Sequence, residues 1–167
     1  MLLRHAKAVQ QSQGDDFARD LQDKGVADAG RLGEHLAERA LVPDFALVSS
    51  SERTRQTFEI VQAALGRQIA ARFEDGLYNA TAAELRGMLR SIQAGITTLM
   101  IVGHNPGIAD AAVMLARDGD PVEIGRMRNR FSPCGVAVIA FDAETWADAA
   151  ASGGRLDLFL LPEDLKA

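Results

Sequence analysis

The stretch Thr98-Leu99-Met100-Ile101-Val102-Gly103-His104-Asn105-Pro106 decides how the chain folds. Its first five residues are a short apolar run, the length of a buried strand rather than of a helix. Asn105-Pro106 then reads as a helix start, with Asn as the cap and Pro at the first helical position. Ile108, Ala112 and Leu115 follow at helical spacing and predict the inward face of that helix. A buried strand that runs directly into a helix is the building unit of a parallel sheet.

Working outward, the same alternation recurs. Met1–Leu3, Phe45–Val48, Val136–Phe141 and Leu156–Leu161 are further apolar runs, with a weaker strand candidate at Ile69–Phe73. Between them, Lys24–Ala40 places Val26, Ala29, Leu32, Leu36 and Ala40 on one helical face, and Arg53–Leu65 does so with Phe58, Val61 and Leu65. Thr81–Ile92 opens on a capping-box pattern, Thr81 followed by Glu84. The pattern predicts an α/β fold with a mostly parallel sheet covered on both faces. The last two strands follow a different connection and are free to pair differently. Gly153-Gly154 marks a tight turn before the final strand. No repeat, low-complexity tract or long linker divides the chain, so one domain over 1–167 is expected.

Composition narrows the function. The 167 residues are 47% hydrophobic, enough for one sizeable core. A net charge of −5 argues against a nucleic-acid surface, yet a local arginine cluster can still hold a small anion. The single cysteine, Cys134, makes no internal disulfide, which points to a reducing, cytoplasmic compartment. No apolar run approaches a membrane span and no signal peptide is legible, so no membrane association is expected. The shortness of the opening strand leaves room for residues before Met1 in the natural protein.

Ligands of parallel sheets bind beyond the carboxyl ends of the strands. Three segments meet there: Leu3-Arg4-His5-Ala6, Ser49-Ser50-Ser51-Glu52-Arg53, and Gly103-His104-Asn105-Pro106. Two histidines and two arginines thus share one rim. Arginine's planar fork matches phosphate oxygens, a neutral imidazole can carry a phosphoryl group, and helix N-termini favour anions. Each segment alone is ordinary; Ser49–Ser51 is complete as a helix cap and Asn105-Pro106 as a helix start. Their combination points to phosphoryl transfer that needs no metal.

These residues resemble a known family. Leu3-Arg4-His5-Ala6-Lys7-Ala8 resembles the Arg-His-Gly signature of the histidine phosphatase (phosphoglycerate mutase-like) superfamily, with Ala6 in place of Gly. Ser49-Ser50 with Arg53-Thr54-Arg55-Gln56-Thr57 resembles its second block, and Gly103-His104-Asn105-Pro106 its second-histidine block. Leu77-Tyr78-Asn79-Ala80 and the ending around Trp146 to Pro162 are similar to short bacterial SixA-like phosphohistidine phosphatases. The resemblance implies a three-layer α/β/α sandwich. It implies His5 as nucleophile, Arg4 and Arg53 on the phosphoryl oxygens, His104 as stabiliser of the transferring group, and, by a looser match, Arg19 as a further substrate-binding arginine.

One departure bears on the substrate. Many relatives place a proton-donating acid just after the Leu of the Leu77 block, where this chain has Asn79. Glu74 and Asp75 are out of register, and Glu84 is explained by the capping box. An alkoxide leaves poorly without a donor, whereas the nitrogen of a phosphohistidine needs less help. The chain is also short, which favours an open site. The expected substrate is therefore a phosphorylated protein, such as a phosphohistidine-carrying signalling domain. The alternatives are a phosphatase of small phosphorylated metabolites and a non-catalytic phosphate-recognition module.

The remaining candidates read blandly. His35 lies with Asp28, Arg31, Glu38 and Arg39 on a solvated helix face. Arg55 is a surface or packing residue, and Arg126, Arg128 and Arg130 form a solvated loop or, more sharply, a rim for an acidic partner. Cys134 has no Arg six residues on, so the cysteine-phosphatase loop is absent. Asp118-Gly119-Asp120-Pro121-Val122 resembles the aspartyl-phosphate motif of haloacid dehalogenase-type phosphatases, but it follows a helix rather than a buried strand and reads as a turn. With no Walker A loop, no Gly-x-Gly-x-x-Gly, no His-Glu-x-x-His and no metal-ligand spacing, no cofactor and no metal are expected.

Overall fold

The computed structural model describes residues 1–10 and 14–165. Its strands are β1 (Leu2–Arg4), β2 (Phe45–Ser49), β3 (Ala70–Glu74), β4 (Leu99–Gly103), β5 (Ala116–Gly119), β6 (Val136–Ala140) and β7 (Gly154–Leu160). Its α-helices are α1 (Asp23–Glu38), α2 (Glu52–Ala64), α3 (Ala82–Leu89), α4 (Gly107–Leu115), α5 (Pro121–Asn129) and α6 (Trp146–Ser152). The strands form one sheet in the order β3-β2-β4-β1-β6-β7-β5. β3, β2, β4 and β1 are mutually parallel, and β5 is parallel to β7. β6 runs antiparallel to both β1 and β7, the different pairing expected for the last strands.

Successive residues of the central strands supply two separate apolar clusters, because side chains alternate across a sheet. Leu2, Leu47, Leu99, Ile101, Ala137 and Ile139 join one cluster, with Leu85 of α3, Ile108 and Leu115 of α4, Met127 of α5 and Ala150 of α6. Leu3, Ala46, Val48, Met100, Val102 and Val136 join the other, with Leu32 and Leu36 of α1 and Phe58 and Val61 of α2. Helices therefore cover both faces, and the fold is the expected three-layer α/β/α sandwich.

Several sequence expectations are corrected. Val26 is 45% exposed, because α1 buries the face carrying Gly25, Ala29, Leu32, Gly33 and Leu36. Ala40 lies past the end of that helix, at φ 55°. Asp28, assigned to the solvated face, is buried and paired with Lys24 at 3.1 Å and with Arg31 at 2.5 Å. Asp118–Val122 is not a turn: β5 runs through Gly119, and Asp120 caps α5 with its carboxylate accepting from the Val122 and Glu123 amides. The supposed loop of Arg126 and Arg128 is α5 itself. Arg126 bonds Glu123 and Asp164, and Arg130 bonds Glu163, tying this region to the terminal 3-10 helix Pro162–Leu165. Asn105 does not cap α4. Its peptide bond to Pro106 is cis, and the helix begins at Gly107.

Two glycines decide how closely elements approach the strand ends. A Cβ on Gly107 would sit 1.9 Å from the Ala80 carbonyl oxygen, so the turn after Leu77 lies directly on the start of α4. A Cβ on Gly25 would sit 2.2 Å from the Lys7 carbonyl oxygen, where α1 presses on the segment after β1. The Lys7 carbonyl is itself fixed by the Gln22 amide at 2.9 Å. Both neighbours are backbone and cannot rotate away. Gly25→Ala is expected to cost about 1–3 kcal/mol of stability in urea melts, the usual scale of overpacking. It should also lower activity, since the displaced segment begins at His5.

Candidate active site

The carboxyl ends of β1, β2 and β4 bring the predicted residues together. In the parallel register Arg4 pairs with Gly103, and the His5 amide donates to the Gly103 carbonyl at 3.0 Å. His5 and His104, ninety-nine positions apart, have ring centroids 5.1 Å apart. Arg53, in the first turn of α2, is 4% exposed, and its Nη2 lies 3.4 Å from His104 Nδ1. Arg4 directs Nη1 to the Phe131 carbonyl at 2.9 Å, and Asn105 Nδ2 donates to the same oxygen at 2.9 Å. The loop before β6 is thereby tied to both strand ends. Arg4 Nε and Arg53 Nε are buried N–H donors with no partner among the described residues. Such donors are costly unless an acceptor reaches them.

The two imidazoles are held differently. His5 Nδ1 is 2.8 Å from the Ala6 carbonyl, an acceptor only, so Nδ1 carries the proton and Nε2 keeps its lone pair. His104 Nε2 is 2.9 Å from Ser49 Oγ and 3.4 Å from Ser51 Oγ. Thr54 Oγ1 donates to the Ser49 and Ser51 carbonyls, so Ser51 Oγ donates to Thr54 and is left as an acceptor toward the histidine. With Arg53 on its other side, neutral His104 carries its proton on Nε2. Burial, reinforced by the neighbouring arginines, pushes the His5 pKa down to about 4. Burial, then His5 and Arg53, push that of His104 down to about 3. Both rings are neutral at pH 7, and the positive charge of the site resides on arginine.

Several positions of the second block tie α2 to its neighbours. Thr57 Oγ1 donates to the Arg53 carbonyl at 2.6 Å and accepts from the Ala6 amide at 2.9 Å, joining α2 to the residue after His5. Gln56 bonds the Leu21 amide and Asp20. Arg55 points away and lies over the Phe73 ring at 4.6 Å, a packing residue as expected.

Sequence reading missed two participants. Asp16, on the 3-10 helix Asp16–Ala18, accepts from Arg53 Nη2 through Oδ2 at 3.1 Å and through its carbonyl from Nη1 at 2.6 Å. Its Oδ1 lies 2.8 Å from Arg19 Nε, an ion pair without hydrogen-bond alignment. Tyr78 donates its hydroxyl to Asp16 Oδ2 and sets its ring edge-on to His104 at 5.1 Å. Arg19 thus reaches the cluster through Asp16, with Nη1 on the Val9 carbonyl at 2.9 Å. The Tyr78 hydrogen bond is the main force holding the Asp16 carboxyl below the usual range, so it is an acceptor at neutral pH. Asn79 is exposed; Glu84 completes its capping box; Glu74 pairs with Arg72. Among the described residues no group of three or more His, Cys, Asp or Glu could hold a metal ion, and no helix is long and apolar enough to cross a membrane.

Residues 1–100 match the model of the histidine phosphatase superfamily, branch 1, a span containing His5, Arg19 and Arg53. The chain belongs to the histidine phosphatase superfamily. It is a phosphatase of the SixA-like kind. Two solved structures of proteins named SixA, each described as a proposed phosphohistidine phosphatase, resemble it over nearly their whole length. The Agrobacterium tumefaciens protein is 30% identical, with a TM-score of 0.79 over 96% of this chain and 95% of that one. The Nakamurella multipartitia protein is 32% identical, with a TM-score of 0.80 over 96% and 94%. An uncharacterized Mycobacterium tuberculosis protein is 30% identical over 96% of this chain and 99% of its own.

The depressed histidines link the site to stability. Unfolded, each would take a proton near its ordinary pKa of about 6.5; folded, they resist to about 4 and about 3. The unfolded state therefore binds more protons below pH 6.5, and stability present above that pH is lost as pH falls toward 4. Urea melts between pH 7 and 4.5 should show this decline, and His104→Gln should flatten it.

Proposed function

We propose that the protein is a phosphohistidine phosphatase that passes the phosphoryl group through His5 to water. The observation that carries the reading is the His5 ring, with Nδ1 spent on the Ala6 carbonyl, Nε2 unbonded by any described residue, and protonation suppressed at neutral pH. That is the state a nitrogen nucleophile requires.

In the first step His5 Nε2 attacks phosphorus in line. A P–N(His5) bond forms, the bond from phosphorus to the substrate's leaving atom breaks, and the leaving group departs with the electron pair. Arg4 and Arg53 hold the nonbridging oxygens, with Arg19 beside them. His104 stabilises the transferring group: the arriving dianion raises its proton affinity, so that Nδ1 becomes a donor while Nε2 stays on the serines. Water then attacks the phospho-His5 intermediate, releasing orthophosphate and restoring neutral His5.

Three features favour a protein phosphohistidine. The carboxyl bonded into the cluster is ionised, so it is not a ready proton donor for an alkoxide. The position after Tyr78 is an amide, Asn79. The two solved relatives at 30% and 32% identity carry phosphohistidine phosphatase in their names.

His5→Ala should lower turnover by more than about a thousandfold, and His104→Ala by roughly a hundredfold. Brief mixing with radiolabelled substrate should leave acid-labile phosphate on His5. A phosphohistidine-bearing protein should be hydrolysed well ahead of simple alkyl phosphates. Equal rates on both classes refute the substrate assignment, and an undiminished His5→Ala enzyme refutes the mechanism.

A further inference from the structure

Arg53 and Arg19 are two of the three guanidinium groups assigned to the phosphoryl group, yet both are engaged by one carboxylate of the chain itself. Asp16 Oδ2 takes Arg53 Nη2 and the Tyr78 hydroxyl, Asp16 Oδ1 faces Arg19 Nε, and the Asp16 carbonyl takes Arg53 Nη1. Two arginines and a phenol converging on a pair of oxygens form an anion site, and the anion in it is a side chain.

The partners differ in freedom. The Arg53 side chain is 5% exposed and that of Asp16 is 55% exposed. Arg53 is walled in by the Tyr78 ring, 5.5 Å from its guanidinium carbon, and by His104. Arg19 is anchored to the Val9 carbonyl. Asp16 rides on a single 3-10 turn whose own cap is the neighbouring Asp15. The arginines are therefore the fixed element and the carboxylate the movable one. A phosphoryl dianion carries twice the charge of a carboxylate and more acceptor oxygens for the same donors. It is also repelled by a carboxylate left beside it.

From this we infer that Asp16 is a displaceable internal ligand of the phosphoryl subsite: it occupies Arg53 and Arg19 in the free protein and yields them to the substrate's phosphoryl group. Asp16 thereby sets the affinity for that group. It keeps the arginines paired and oriented between turnovers, and substrate binding must work against it. Tyr78 acts through Asp16, steadying the carboxylate in the occupied position. The inference rests on the phosphoryl-binding role given to these arginines above.

The test is orthophosphate and tungstate binding to the full chain by titration calorimetry, with KM and kcat for the same variants. Asp16→Asn is close in shape and removes the competing charge. It should bind both anions roughly three- to tenfold more tightly than the wild type, the scale of one partly exposed ion-pair competition, and lower KM. Tyr78→Phe leaves the carboxylate but loosens it and should shift affinity the same way by less, which keeps the test open if Asp16→Asn folds poorly. Unchanged or weaker anion binding in both variants overturns the inference and makes Asp16 an orienting group for Arg53. Failure of the wild type to bind either anion at millimolar concentration overturns the phosphoryl site itself, and the inference with it.

Discussion

The parallel pairing of β1 with β4 is the constraint on which the site depends. Arg4 stands opposite Gly103, and the His5 amide closes on the Gly103 carbonyl. That one register sets the two imidazoles side by side at the rim. Side-chain direction alternates along a strand, so a slip of one residue would turn Leu2 and Leu3 onto the wrong faces and carry His5 away from His104. The two apolar clusters defend the register, because each accepts only alternate residues of each strand. The geometry of the candidate site is in this sense a by-product of core packing.

Much of this was legible because the signals were local. Alternating apolar runs gave the central strands, and the capping box at Thr81 and Glu84 forms as written. The three charged blocks at strand ends converge because parallel sheets present all such ends at one rim. What escaped notice depended on contacts between distant segments. Val26 carries the hydropathy of a core residue, but the helix turns toward the core the face whose glycines allow close approach at Lys7 and Val61. Asp28 looked solvated because a buried carboxylate is rare, and the two cations that neutralise it are on its own helix. β5 is short and its exposed Arg117 and Asp118 carry no strand signature. The Asp120-Pro121 start of α5 did carry a cap signal, which a turn explains equally well when no apolar face follows.

The missed acid has a similar cause. The family resemblance implies a proton donor near Leu77, and Asn79 stands there. The carboxylate that enters the cluster comes instead from the segment between β1 and α1, three residues before Arg19. No periodicity marks Asp16; only the fold brings it over Arg53. Tyr78 belongs to a motif legible in the sequence, but its contact with His104 needs the turn at Ala80 to lie on the start of α4, and the missing side chain of Gly107 permits that.

The two histidines show how one residue type takes two hydrogen-bonding states in one electrostatic environment. His5 is buried and His104 half-buried, both feel the neighbouring arginines, and both are kept neutral. Their distinction lies in what each ring's protonated nitrogen touches. A carbonyl can only accept, so His5 is locked as a donor at Nδ1 and keeps its lone pair on Nε2. Around His104 a chain of hydroxyls takes the Nε2 proton, and Arg53 repels any proton added at Nδ1. In the proposed reaction a dianion arriving between His104 and Arg53 would reverse that repulsion. The ring that stays neutral in the free protein would then, in that proposed reaction, gain proton affinity as charge develops, while His5 keeps the lone pair of a nucleophile. An acidic chain of net charge −5 can offer such a site because the local field is set by the guanidinium groups of Arg4, Arg19 and Arg53 and by the burial that keeps water from screening them.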